Sequence, residues 1–298
     1  MFDFLLHILV VASLYGILAV SLNLQAGVAG LMNFGQIAFF GIGGYAAALA
    51  AVAGWPPVLG TLAGMAVAAV AGALVGRLGR DLEAEYWAIA TLGLAEILRI
   101  VAINEGWLTG GAEGIGGSIG LFATLLGSAR EFAFLALTLA CLALSYAFAE
   151  ILTGCQFGRV LRLLREQPEL AVSFGYDIVW FKVRAMAVAA PVAALGGALT
   201  TYYIAYISPG DLVSFGTFLI WTTVIIGGIG NHKGAMLGAF VVQFIYTGAL
   251  FMKDILGIPS ELAGSIRIII IGCLLLAFLM VRSGGLLPEK LRRIHADG

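Results

Sequence analysis

FLLHILVVASLYGILAVSLN, residues 4–23, runs for 20 residues without an Asp, Glu, Lys or Arg. About 20 mainly apolar residues are what an α-helix needs to cross about 30 Å of hydrocarbon. A helix closes its backbone hydrogen bonds within the segment, which a lipid environment demands. A barrel strand would instead alternate polar and apolar side chains every second position, and this run does not. No basic stretch precedes the run and no A-x-A cleavage site follows it, so it reads as a retained first helix rather than a secretory signal.

The rest of the chain repeats the pattern. Its 298 residues are 61% hydrophobic and 11% charged, with mean hydropathy +1.03. Charged residues make up about a quarter of an ordinary soluble domain. A chain this poor in charge cannot cover itself against water, and the fold class is an all-α polytopic membrane protein. Candidate spans are residues 4–23, 34–53, 58–76, 86–103, 132–152, 183–204, 214–229, 235–252 and 264–281. That makes a bundle of about nine transmembrane helices, with about eight to ten allowed by glycine-broken segments. Residues 1–298 read as one transmembrane domain with no soluble domain.

Loop charges orient this bundle. Arg77 and Arg80 follow the third span, Arg159, Arg162, Arg165 and Lys182 lie between the fifth and sixth, and Lys290, Arg292 and Arg293 close the chain. With an odd number of spans these fall on one side, the cytoplasmic one. The amino terminus is then outside and the carboxyl terminus inside. Arg267, near the outer end of the last span, is placed to snorkel.

Composition also excludes functions. A net charge of −1 without a basic run speaks against nucleic-acid binding. Cys141, Cys155 and Cys273 are scattered and read as small packing residues, not as a zinc or disulfide framework. His7, His232 and His295 have no nearby sequence partners. No HExxH or GxSxG signature lies in a span, so an intramembrane enzyme is not expected.

Several local patterns stand out. Gly60, Gly64, Ala68, Gly72 and Gly76 form a stripe at spacing four, which lets another helix approach closely. Asn23, Gln25, Gly27, Gly30, Asn33, Gly35 and Gln36 bring amides and glycines to the junction of the first two spans. Two readings stand: a broken helix lining a cavity, or a solvated turn. Asn33-Phe34-Gly35 before Gly43-Gly44 is echoed by Ser214-Phe215-Gly216 before Gly227-Gly228, on helices of opposite direction, as an inverted repeat requires. Glu96 and Arg99, at spacing three within the fourth span, either line a path or compensate each other. Asn23, Asn33, Gln36, Tyr45, Glu96 and Arg99 are the candidate translocation-path residues.

The segment GRVLRLLRE, residues 158–166, puts Arg159, Arg162 and Arg165 along one edge of a short helix. Pro168 breaks it, and a second short stretch runs from Glu169 to Gly175. An amphipathic helix held between spans suits a groove on a soluble partner, while a topology-setting loop is the plain alternative.

Four blocks bear on that choice: residues 27–49 (GVAGLMNFGQIAFFGIGGYAAAL), 86–117 (YWAIATLGLAEILRIVAINEGWLTGGAEGIGG), 158–199 (GRVLRLLREQPELAVSFGYDIVWFKVRAMAVAAPVAALGGAL) and 206–239 (YISPGDLVSFGTFLIWTTVIIGGIGNHKGAMLGA). Together they resemble the permeases of LIV-type ABC importers, the branched-chain amino acid and urea family. The LTGG and GIGG of the second block resemble the LivM-type subunit more than its LivH-type companion. The chain departs from the family at Asn231-His232-Lys233-Gly234.

The resemblance implies a coupling segment within residues 154–182 that receives an ATPase subunit, with Gly158, Arg159, Arg162, Arg165, Glu166, Glu169 and Gly175 at or near the interface. It implies a LivH-like second permease, two P-loop ATPases and an extracytoplasmic binding protein that delivers a branched-chain amino acid or a small polar solute such as urea. No G-x-x-x-x-G-K-[ST] loop occurs, so ATP and Mg belong on partner subunits and no cofactor is expected on this chain. The alternative is a secondary transporter or channel that needs no ATPase, for which Glu96 is the one candidate coupling group.

Overall fold

The structure, a computed structural model, describes residues 2–80, 82–117, 120–122, 127–256, 260–282 and 284–289. The long helices are α1 (Phe2–Leu22), α2 (Gln36–Val52), α3 (Pro57–Leu78), α4 (Ala84–Asn104), α6 (Ser128–Gly154), α9 (Ile178–Ile204), α10 (Phe215–Gly227), α11 (His232–Leu256) and α12 (Ser260–Val281). Short helices α5 (Gly106–Thr109), α7 (Gln156–Glu166) and α8 (Pro168–Ser173) join them. Strands β1 (Ile115–Gly116) and β2 (Tyr206–Ile207) pair antiparallel, Ile115 opposite Ile207.

An apolar helix falls on each expected span, yet the expected nine crossings are not supported. Among the described residues, five helices are long and apolar enough to cross a membrane, six if the bent pair 214–227 and 232–248, at 119°, counts as one span. Helix α2 has 17 residues and α10 has 13. At 1.5 Å per residue they reach only about 26 and about 20 Å, short of about 30 Å of hydrocarbon. Hydropathy counted each as a crossing because it registers apolar runs and not where the backbone breaks.

Helix α1 is the axis: 72% of its apolar window is inside the bundle, against 22% for α4 at the rim. It packs against α6, α9, α10 and α11, while α3 packs against α2 and α9. The small-residue stripe is the seam of that second contact. Gly60 and Gly64 face Ala50 and Ala46 of α2, and Gly72 and Gly76 face Met186 and Val183 of α9.

Charged loops gather at one end of the bundle. Lys182 donates to the Arg80 carbonyl at 3.5 Å, and Arg165 pairs with Glu289 at 2.8 Å. At the opposite end His7 bonds the Tyr203 hydroxyl at 2.7 Å, and Arg130 donates to the Tyr203 carbonyl at 3.2 Å. Lys290, Arg292, Arg293 and His295, and the side chain of Arg267, lie outside the described residues.

Candidate functional site

The amide-rich junction is a broken helix. After Leu22 the backbone of α1 widens into a π-helical turn, Asn23–Val28, with every residue buried. The Leu31 N–H reaches back to the Gln25 carbonyl at 2.9 Å, where a regular α-helix would bond it to Gly27. The chain then runs irregularly to Gln36 and starts α2.

At that start two half-helices meet. The Ile37 N–H donates to Thr217 Oγ1 at 3.1 Å, the Trp221 indole N–H donates to the Asn33 carbonyl at 3.0 Å, and the rings of Phe34 and Trp221 stack at 5.0 Å. Helix α2 leaves this point toward Pro57, while α10 leaves it toward residues 284–287. Their beginnings are the two segments that echo each other in sequence, and their directions are opposite, as in the inverted repeats of transporters with discontinuous helices.

Around the junction the amides satisfy one another. Gln36 Oε1 accepts from Gln25 Nε2 at 3.0 Å and from Asn33 Nδ2 at 3.2 Å, and Gln36 Nε2 donates to Ser21 Oγ at 2.8 Å. Asn33 Nδ2 also reaches Gln25 Oε1 at 2.7 Å. Ser21, Gln25, Asn33 and Gln36 are all at 0% exposure. A solvated turn is thereby excluded. The amides are a closed polar knot rather than the lining of an open cavity.

Asn23 belongs to a second knot one turn away. Its Nδ2 donates to His232 Nδ1 at 2.9 Å, and its Oδ1 accepts from the Gly230 N–H at 2.8 Å. His232 is therefore a buried partner, not an incidental residue, and His7 likewise has its partner in Tyr203. Tyr45 sits apart from both knots: it is buried, and its hydroxyl has no hydrogen-bond partner among the described residues. Glu96 and Arg99 are apart too. They pair with each other at 2.5 Å on the rim helix α4, with side chains 40% and 27% exposed. The six path candidates thus divide among four places.

The segment expected to couple, residues 154–182, begins with two short helices, α7 and α8, as its proline suggests. Val160 and Leu161 of α7 are buried, and Arg159 is exposed. The three arginines do not share one edge. Two steps of three residues turn a helix by about 600°, which sets Arg159 and Arg165 about 120° apart. Arg165 therefore turns into the bundle, where it donates to the Gly27 carbonyl, to Glu166 at 2.9 Å and to Glu289 at 2.8 Å. Arg162 lies 3.4 Å from Glu289. Burial pulls the Arg165 pKa down, and the Glu166 and Glu289 carboxylates more than offset it, holding the guanidinium above its ordinary value.

The outward side of this segment lies mainly on α8. Glu166, Glu169, Leu170, Val172 and Phe174 are exposed, and Gly175 turns the chain into α9 with φ +80°. Gly158 is buried at the α6–α7 corner. Between α7 and the broken helix lies a cavity of about 550 Å³, lined among others by Gly30, Met32, Trp87, Arg165, Lys182 and Trp221.

Sequence reasoning missed Glu289, Ser21 and His232. Each acts through a partner far away in the chain, His232 at a separation of 209 residues. Cys155 and Cys273 are exposed and Cys141 is half-buried, so packing describes only the last. Among the described residues no cluster of metal-ligating side chains occurs.

An all-α bundle of this kind, with a broken central helix and a short amphipathic pair at its charged end, is a polytopic membrane protein. Residues 4–279 match the family described as the branched-chain amino acid transport system permease component, and the chain belongs to that family. It is 29% identical to the probable branched-chain amino acid transport permease protein LivM of Methanocaldococcus jannaschii, over 97% of this chain and 94% of that protein. It is 26% identical to the high-affinity branched-chain amino acid transport system permease protein LivM of Escherichia coli, over 92% of this chain and 68% of that one. To the corresponding LivH of Escherichia coli it is 22% identical, over 77% of this chain and 80% of that one. The chain is LivM-like, a subunit of the ABC-importer permease type.

Proposed function

We propose that this permease is one half of an ATP-driven importer for branched-chain amino acids, urea being a further solute within the reading. It works beside a LivH-like permease, with two P-loop ATPases at its arginine-bearing end and a binding protein at the opposite end. The arginine-bearing end is cytoplasmic, with the carboxyl terminus, by the bias of Lys and Arg toward it. The whole chain is a single membrane domain in which residues 154–182 receive the ATPase. ATP and Mg are held by the partner subunits.

The observation that carries this reading is the outward side of α8. Leu170 and Phe174, one turn apart on one face, are 41% and 67% exposed beside Glu166 and Glu169, and Val172, 55% exposed, lies on another face. An apolar ridge rimmed by charge, presented from a short helix, is the form that docks into a groove. The solute path runs beside the broken helix, whose backbone the closed knots of Asn33, Gln36 and Asn23 hold in place without lining the path themselves.

The test reconstitutes the purified complex in proteoliposomes with loaded binding protein. Phe174→Ala combined with Glu169→Arg is expected to lower stimulated ATP hydrolysis about tenfold or more, as loss of a central anchor does, with membrane insertion unchanged. Uptake that needs no ATP, or that survives this double change in full, would leave the ATP-independent transporter as the better reading.

A further inference from the structure

The docking reading explains why α8 faces outward, but not why Arg165 faces inward. We propose that Arg165 and Glu289 are a positioning pair that transmits movement of α7 to the broken helix, and that residues 284–289 are a strap and not a loose tail. This rests on the reading that α7 and α8 receive the ATPase.

The strap is anchored by backbone. The Leu286 N–H donates to the Ile226 carbonyl at 2.8 Å, and the Leu287 N–H donates to the Gly227 carbonyl at 3.0 Å, both at the end of α10. Asn231 adds a bond to the Pro288 carbonyl at 3.2 Å. Glu289 is thereby fixed to the α10–α11 turn, 18% exposed, and from there it holds Arg162 and Arg165 of α7.

The other arm of the guanidinium holds α1. Arg165 Nη1 donates to the Gly27 carbonyl, which the π-helical turn leaves free of the Leu31 N–H. Gly27 itself lies against the turn that the strap grips. A Cβ there would collide with Asn23 Oδ1, and it would come within 2.5 Å of the Gly230 nitrogen. A Cβ at Gly230 would in turn meet Glu289 Oε2 at 2.6 Å. Side chains of any size are excluded from this contact, so the ends of α1, α7, α10 and α11 touch without intervening cushion.

A displacement of α7 is consequently delivered to two places at once: the break in α1, and the start of α11 through Asn23 and His232. The planar fork of arginine suits this task because two of its nitrogens bind different partners in fixed relative geometry; lysine offers a single point charge.

Hydrogen exchange on the full complex tests it. Adding a non-hydrolysable ATP analogue to the unaltered complex is expected to change protection in residues 156–175, 23–31 and 226–234. In Glu289→Gln and in Arg165→Lys the change is expected to persist in 156–175 and to shrink about tenfold in the other two segments, the loss that one charge-assisted hydrogen bond can carry. Equal responses in all three segments of the variants would overturn the proposal while leaving the docking reading intact. No response at 156–175 in the unaltered complex would overturn the docking reading and this proposal with it. Variants that fail to assemble by size-exclusion would show the pair to be structural only, and would also overturn it.

Discussion

The amide knot at the start of α2 and the ion pair on α4 are both polar clusters in apolar helices, and they are built in opposite ways. Ser21, Gln25, Asn33 and Gln36 are wholly buried and satisfy each other within the chain. Glu96 and Arg99 satisfy each other but stay partly exposed on the rim. A buried polar group that loses its partner keeps the full desolvation penalty. A pair on the rim of a membrane helix avoids acyl chains only by meeting protein or water. The first cluster is thus a property of this chain alone, while the second is completed by whatever covers α4.

Three substitutions separate the two designs. Gln36→Leu should have the largest effect, because it removes three buried hydrogen bonds, one each to Asn33, Gln25 and Ser21. Thermal unfolding in detergent should show a loss of about 3 kcal/mol, the sum expected for three buried hydrogen bonds. Retained stability would mean that water enters the knot and that it is not closed. Asn23→Ala should cost less, about 1–2 kcal/mol, since it frees only the Gly230 N–H and His232. Combined with Gln36→Leu it should add nearly independently if the two knots are separate, and a double-mutant cycle would read any coupling. The smallest effect belongs to Glu96→Ala with Arg99→Ala. In the isolated chain this double change should move Tm by less than about 2 °C, as for exposed ion pairs. A larger shift would mean that α4 packs the pair inside its own bundle.

Sequence gave up these features unevenly. The stripe from Gly60 to Gly76 was legible because close helix approach leaves a local, periodic mark, and the structure places it on the seam with α2 and α9. The break between the first two spans was half legible: amides at membrane depth announce irregular backbone, but their partners lie on other segments. Asn23 and His232 carry no mutual signal across 209 positions. Tyr45 stands among the path candidates with Asn33 and Gln36, yet helix α2 carries it away from them. Arg165 was grouped with Arg159 by spacing, and the helical angle that separates them decided which one faces inward. The short reach of α2 and α10 was hidden because an apolar run reads alike whether it crosses the membrane or stops halfway.

The wide turn at Asn23–Val28 also sets what sequence change this permease can absorb. A π-helical turn holds one residue more than an α-turn over the same rise. Deleting a single residue there would let α1 close into regular helix, and the Gly27 carbonyl would return to its own backbone. Arg165 would lose its acceptor with no change to its own codon. A one-residue gap at this position is therefore a sharper marker of lost coupling than any substitution on α7.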